Sequence, residues 1–462
     1  MDQSFRDSIA TIDDEGKRKW IYPKKPKGRF FNARSILSVV LLAFLFAGPF
    51  IRINGRPLLL LNILERKFVF FGQVFWPQDF YIFAFAMITM VLFVVLFTVV
   101  FGRLFCGWVC PQTIFMEMVF RKIEYWIEGD YKQQKALNKK PWNAEKVGKK
   151  GLKHTLFFLI SFLIANTFLA YLIGSGELIA TVTDNPMNQL GTLGTLLIFT
   201  GVFYGVFAFF REQVCIVACP YGRLQGVLLD KHSVVVAYDH ERGESRAKFR
   251  KNEVRQEVGK GDCIDCHQCV DVCPTGIDIR NGTQLECVNC TACIDACDHM
   301  MDGVGLDRGL IRYASEAQIS EREKFYFTTR TKAYSGVLLL LMGVLVGLIL
   351  SRADVETSIL RTPGMLFQEQ DNGMVSNLYN VKLINKTYEA VPVELRLINQ
   401  EGEIKMVGTG LEVGKEGVAE AAMFIYLPRS EIKKMKTKVK VGVYSNGELL
   451  ETVSTTFLGP VG

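Results

Sequence analysis

Five stretches of this chain carry no charged residue and are long enough to cross a lipid bilayer: residues 35–51, 80–101, 155–175, 190–210 and 333–350. A spanning helix needs roughly 17–25 apolar residues, because every backbone N–H and C=O must be satisfied within the segment once water is excluded. A single soluble core does not bury five such runs, and the 49% hydrophobic and 12% aromatic content of the 462 residues agrees with a polytopic membrane protein. The first run is the shortest and is interrupted by Pro49. A polar, basic segment precedes it and no small-residue cleavage site follows promptly, so it is expected to stay as an anchor rather than serve as a cleaved signal.

Lysine and arginine set the expected orientation. The first 34 residues carry Arg6, Lys17, Arg18, Lys19, Lys24, Lys25, Lys27, Arg29 and Arg34, and the loop 102–153 is equally basic, whereas 176–189 has neither residue type. The N-terminus is therefore expected on the cytoplasmic side. Five spans then place loops 102–154 and 211–332 with it, and the tail on the opposite side. The formal net charge of +7 is accounted for by this topology and needs no nucleic-acid partner. The expected division is a cytoplasmic segment 1–34, a four-helix region 35–210, a cytoplasmic region 211–332, a fifth helix 333–350 and a tail 355–462.

Between the first two spans, 58–64 and 68–76 are apolar but too short to cross, and are expected at the membrane interface. Lys24-Lys25-Pro26-Lys27-Gly28 reads as an interfacial anchor, 121–153 as containing an amphipathic helix, and 238–260 as a solvated connector. The tail changes character to short β-rich runs at 379–384, 391–398, 404–409, 419–426, 438–444 and 449–457, with the hairpin signal Asn446-Gly447 between the last two. An all-β sandwich of immunoglobulin type is expected, without the cysteine and tryptophan hallmark of antibody domains; periodicity alone does not distinguish it from a small barrel.

All twelve cysteines fall on the expected cytoplasmic side, where thiols stay reduced, and in four local clusters, which argues for metal chemistry. Cys263-x2-Cys266-x2-Cys269-x3-Cys273-Pro274 is followed by Cys287-x2-Cys290-x2-Cys293-x3-Cys297. Each run has the spacing of bacterial two-cluster ferredoxins, in which three cysteines hold one [4Fe–4S] cubane and the fourth reaches the other. The expected sets are Cys263, Cys266, Cys269 and Cys297 for one cluster, and Cys287, Cys290, Cys293 and Cys273 for the second, in a ferredoxin-like domain over about 255–312. Four-thiolate zinc sites are the competing reading, which two matched runs disfavour. His267 and His299 read as outer or surface residues, since the four-cysteine sets are already complete.

The other four cysteines form two copies of Cys-x3-Cys-Pro, Cys106/Cys110 and Cys215/Cys219, at a constant interval and each just after a span. If helical, each pair would share a face, and four thiols could converge at the membrane surface. Soft thiolates select copper(I), zinc or iron–sulfur clusters, and a thioether from Met116 or Met118 would favour copper(I). Two blander readings compete: small buried hydrophobes, and a dithiol/disulfide couple.

The segments FCGWVCPQT (105–113), CPYGRLQ (219–225), YDHERG (238–243), CIDAC (293–297) and RGLIRY (308–313), with the ferredoxin run between them, resemble the cytochrome c oxidase accessory proteins of the CcoG, FixG or RdxA type over nearly the whole chain. The Cys-x3-Cys-Pro pairs alone are shared with NapH- and NosR-type relatives. The resemblance implies a bacterial inner-membrane protein, with an exported immunoglobulin-like tail, that helps assemble cbb3-type oxidase by reducing copper(II) to copper(I) with two [4Fe–4S] clusters. It further implies a cytosolic electron donor, and a copper transporter or chaperone and oxidase subunits as partners. Ligand softness and location make Cys106, Cys110, Cys215 and Cys219 the expected copper or redox site. A quinol-linked electron conduit of the NapH type and a non-enzymatic assembly scaffold are the alternatives.

Overall fold

Among the described residues, five helices have the length and apolar character to cross a membrane: Arg29–Ala47, Phe80–Phe101, Ala144–Ile173, Leu190–Phe210 and Thr329–Leu350. The computed structural model describes residues 11–12, 15–53, 55–63, 67–183, 190–251, 253, 254, 255, 257–353, 355–370, 373–387, 389–408, 411–415, 417–432 and 434–460. Arg6, residue 64, residues 184–189 and Thr409, on which the sequence reading also drew, lie outside them.

Three helix starts differ from those expected, the fifth by only four residues at Thr329, and the two larger differences have a tertiary cause. The first helix begins at Arg29 because the Asp295 carboxylate accepts hydrogen bonds from Phe30 N and Phe31 N at 3.1 and 2.8 Å. A distant side chain thus satisfies backbone donors that a helix start leaves open. The third helix begins at Ala144, capped by Asn143 Oδ1 on Lys146 N at 2.9 Å. Its charged first turns are held by Glu128, which meets Lys150 and Lys153 at 2.9 and 3.0 Å.

The apolar segments between the first two spans form a small antiparallel sheet, Leu59–Asn62, Lys67–Phe70 and Gln73–Phe75. After the second span, residues 111–127 run as one helical segment with a wider π-type stretch at Ile114–Phe120. The lead-in to the first helix lies against protein. Lys24 N donates to Asp271 O and Lys24 Nζ to Gln268 Oε1, both at 2.7 Å, and Trp20 is stacked between Arg18 and Arg211.

The ferredoxin-like region is closed by strand Val235–Tyr238 pairing antiparallel with Ile311–Ala314. Val236, Ile264, Ile277, Ile294, Met301 and Ile311 pack there around Cys263, Cys269 and Cys297. The stretch 238–260, expected as a solvated connector, is built into this region. Arg255 is buried and donates to Gly261 O, Ala247 O and Cys263 O at 2.7, 2.9 and 3.0 Å. A charge-rich composition concealed arginines that are spent on backbone carbonyls.

Residues up to Val344 form one compact unit and those from Leu345 a second. The second is a β-sandwich. One sheet has the order Glu403–Val407, Val418–Pro428, Met374–Asn385, Val355–Arg361, with Gln368–Glu369 also paired to Met374–Asn385. The other has the order Leu411–Val413, Val391–Leu397, Lys436–Ser445, Glu448–Leu458. Tyr379, Leu383, Met423, Ile425, Val441 and Phe457 fill the space between them, and Asn377 crosses it by bonding both the C=O and N–H of Leu458. The sequence reading missed Val355–Arg361, although its alternating Val355, Thr357 and Ile359 are buried, because it follows the fifth apolar run almost directly.

Candidate functional site

The two ferredoxin runs fold alike. In each, the residues on both sides of the second cysteine take left-handed backbone conformations: Asp265 and His267 around Cys266, Asn289 and Thr291 around Cys290. Such residues in alternation turn successive N–H groups toward one side, a geometry suited to negative charge. A helix then follows in each run: Gln268–Asp271 carries Cys269 in the first, with Cys273 just beyond its end, and Ala292–Val304 carries both Cys293 and Cys297 in the second.

The fourth cysteine of each run reaches the other set. The thiol of Cys297 is pushed up to about 12 by burial, and the thiols next in effect are Cys266 and Cys263. Cys293 is raised by burial and then by Cys290, Cys287 and Cys273. A hollow is lined by Cys269, Cys273, Cys287, Cys290 and Cys293. Buried thiols of this kind cannot become thiolates without nearby positive charge, and iron would supply it. The donor sets therefore fit iron–sulfur clusters. His267 Nδ1 lies 3.0 Å from Arg280 Nη2, in a network with Asp265 and Asp278 that braces the first run, and His299 is exposed.

The Cys-x3-Cys-Pro motifs depart from the expected continuous helix. Cys106 lies in the short helix Leu104–Trp108, whereas Cys110 is the N-cap of a new helix opened by Pro111. Cys219 likewise precedes Pro220 at the N-cap of Pro220–Leu228. Each pair straddles a break, because proline has no N–H to give to a preceding turn and suits the first helical position. The two motifs nevertheless come together. Burial pushes the Cys215 thiol up to about 12, and the next contributions come from Cys110, Cys106 and Cys219. Buried Gln225 donates to Cys106 Sγ at 3.3 Å. Met116 shares a small cavity with Cys215, while Met118 lines a different, neighbouring cavity.

The membrane-edge motifs are docked on the second ferredoxin run. Cys106 packs against the buried cluster of Val272, Val288, Cys290 and Ala292, which Cys293 also meets. Arg34 Nε donates to Gly107 O and Arg34 Nη1 to Cys290 O, both at 2.9 Å. Arg103 Nη2 donates to Gly222 O at 2.6 Å, and its Nη1 reaches Leu285 O. Trp108 Nε1 donates to Tyr313 Oη at 3.0 Å. Gly107 is required by this docking, since a Cβ there would lie 2.5 Å from Val288 O and 2.6 Å from Asn289 O.

Comparison with known proteins agrees with this arrangement. Residues 210–316 match a family model described as a 4Fe-4S dicluster domain, residues 83–131 one described as a 4Fe-4S binding domain, and residues 345–460 one for the IG-like fold at the C-terminal of FixG. Protein RdxB of Cereibacter sphaeroides is 36% identical over 404 residues, covering 83% of each chain. The nitrogen fixation protein FixG of Rhizobium meliloti is 33% identical over 89% of this chain and 87% of its own. Protein RdxA of Cereibacter sphaeroides is 35% identical over 88% of each chain. The chain belongs to the FixG family. A solved FixG-related protein from Vibrio parahaemolyticus aligns with 23% of this chain and 97% of its own at 19% identity, with a TM-score of 0.19 that is too low to bear on the fold.

The FixG-family chain is thus a membrane iron–sulfur redox protein with an immunoglobulin-like tail. Sequence reasoning found its cysteines and missed what joins them: Arg34, Arg103, Gly107 and Gln225. The basic pair was visible, since Arg34 is the last charge before the first apolar run and Arg103 the first after the second. It was read only as a signal of orientation.

Proposed function

We propose that the protein is a bacterial inner-membrane oxidoreductase that reduces copper(II) to copper(I) for assembly of a cbb3-type cytochrome c oxidase. Cys263, Cys266, Cys269 and Cys297 would hold one [4Fe–4S] cluster, and Cys287, Cys290, Cys293 and Cys273 the other. When bound, these clusters supply electrons one at a time. Copper(II) is the substrate, and its conversion to copper(I) takes one electron.

The observation that carries the reading is the packing of Cys106 against the buried cluster that includes Cys290, which sets a membrane-edge thiol beside the second quartet. Cys106, Cys110, Cys215 and Cys219, with Met116 beside Cys215, offer soft donors of the kind that favour copper(I) over copper(II). The basic N-terminal segment and loops favour a cytoplasmic face for all twelve cysteines and an exported tail, suited to meeting oxidase subunits. A copper chaperone or transporter receives the product.

The test is anaerobic. Cluster-loaded protein reduced with dithionite and freed of excess reductant is mixed with copper(II) and a copper(I)-specific chelator, beside a variant with all four membrane-edge cysteines changed to serine. Rapid cluster oxidation with matching copper(I) in the native protein alone supports the reading. Equal rates in both place copper elsewhere, and no copper(I) in either removes the reductase assignment.

A further inference from the structure

Cys290 also walls a cavity of about 310 Å³, enclosed by the start of the first membrane-length helix, the 111–127 helical segment and the second cysteine run. Most of its lining is apolar: Pro23, Pro26, Phe31, Met118, Val272 and Pro274. Three basic groups, Lys25, Arg34 and Lys122, and one carboxylate, Glu117, also face it. We propose that this cavity binds the ring of a quinol, a lipid-soluble aromatic diol, as the source of the protein's electrons.

Four observations select that chemistry. The cavity lies at the edge of the membrane, since the first apolar run starts at Ser35, immediately after Arg34. Its volume of about 310 Å³ is at the lower end of small-molecule sites, enough for a substituted ring. Its polar groups suit a neutral diol and its quinone, because the Glu117 carboxylate can accept from a ring hydroxyl and Lys122 can donate to a ring oxygen. Finally, the ring would rest against Cys290, a residue of the second quartet.

Competing ligands fit less well. A copper ion would meet three positive charges. An anionic lipid headgroup would meet Glu117, and it would find Arg34 Nε and Nη1 already committed to Gly107 O and Cys290 O. Lys122 keeps only a long bond to Ser35 Oγ at 3.3 Å and a position 5.5 Å from the Phe31 ring centre, so it can turn to a ligand. Glu117 is held in place by Arg121, with Nε 3.0 Å from Oε1. Glu117 and Pro274 also line the small cavity at Cys215, so donor cavity and membrane-edge thiols share a wall.

The balance is simple. One quinol loses two electrons and two protons to become the quinone, two copper(II) ions gain one electron each, and the protons pass to water. The proposal rests on the reductase reading only for that acceptor, and it draws the electrons from the membrane rather than from a cytosolic donor.

The experiment uses full-length, cluster-loaded protein in lipid nanodiscs and measures binding of decylubiquinone by calorimetry, with an azido-quinone to mark its contacts. Labelling should map to residues 23–34, 117–125, 272–274 and 290–292, the segments that line the cavity. Met118→Trp, which fills the cavity, and Lys122→Met, which removes one hydrogen-bond donor, should each weaken binding about tenfold or more while iron content stays at the parent level. Labelling elsewhere, binding unchanged in both variants, or a tightly held anionic phospholipid lost on Met118→Trp would each overturn the proposal. Quinone binding that maps here while dithionite-reduced protein fails to reduce copper(II) would remove the reductase reading and leave the quinol site standing.

Discussion

Replacing Arg34 by methionine tests how the membrane edge is joined to the second ferredoxin run. Arg34 is 5% exposed and spans two carbonyls that no single lysine amine could reach in the same geometry, Gly107 O and Cys290 O, each at 2.9 Å. A hydrogen bond from a charged donor contributes about 1.5–3 kcal/mol, so two would be worth about 3–6 kcal/mol if nothing relaxed. Cys290 O keeps a second partner, Thr291 Oγ1 at 2.6 Å, so its loss falls at the lower end. The expected cost is therefore about 3 kcal/mol, or roughly a hundredfold in the population of locally opened second quartet. The assay is anaerobic release of iron to a chelator at neutral pH. In Arg34→Met, half of the iron should leave up to about a hundredfold faster and half at the parental rate, because the first quartet is braced separately by Arg255 and Arg280. A single parental rate for all the iron, or one uniformly fast rate, would refute the idea that Arg34 ties these two places together.

Other substitutions probe different layers. Gly107→Ala forces a methyl group against the Val288 and Asn289 carbonyls and should cost about 1–3 kcal/mol or more, seen as lower thermal stability and iron retention, while Gly148→Ala, with open space around it, should be neutral. Burial pushes the Glu124 carboxyl up, but Arg211, Lys153 and Arg121 outweigh it and hold its pKa below the ordinary glutamate value. Its stabilisation is therefore complete above that value, about pH 4.3, and is lost as the pH falls through the lower folded value. Glu124→Gln should lower stability at neutral pH by about 3–5 kcal/mol and flatten the acid limb, as read by thermal melts from pH 7 to pH 3. Gly447→Ala, at φ +87° beside Asn446 at φ +48°, should cost about 1–2 kcal/mol and speed hydrogen exchange in the hairpin Lys436–Ser445/Glu448–Leu458, leaving the cysteine-bearing unit untouched.

Features that depend on neighbours along the chain are legible in the order of residues. Uncharged length was enough to find all five membrane helices, because the backbone accounting of a span is internal to it. The tight x2 spacings were enough to recognise two matched cysteine runs, and Asn446-Gly447 to place a hairpin, because both are local backbone geometries. Tertiary structure alone decided what distant groups do to one another. The start of the first helix at Arg29 is set by Asp295, 265 residues along the chain. Hydropathy could not see it, since the cap is a side chain from another fold element. The breaks at Pro111 and Pro220, the packing of Cys106 on the cluster that includes Cys290, and the placing of Met116 and Met118 on different cavities likewise follow from packing. Arg34 shows the division most plainly. In the sequence it is one of many basic residues that orient a membrane protein. In the fold its buried guanidinium must find acceptors, and those it finds join the membrane edge to the second cysteine run.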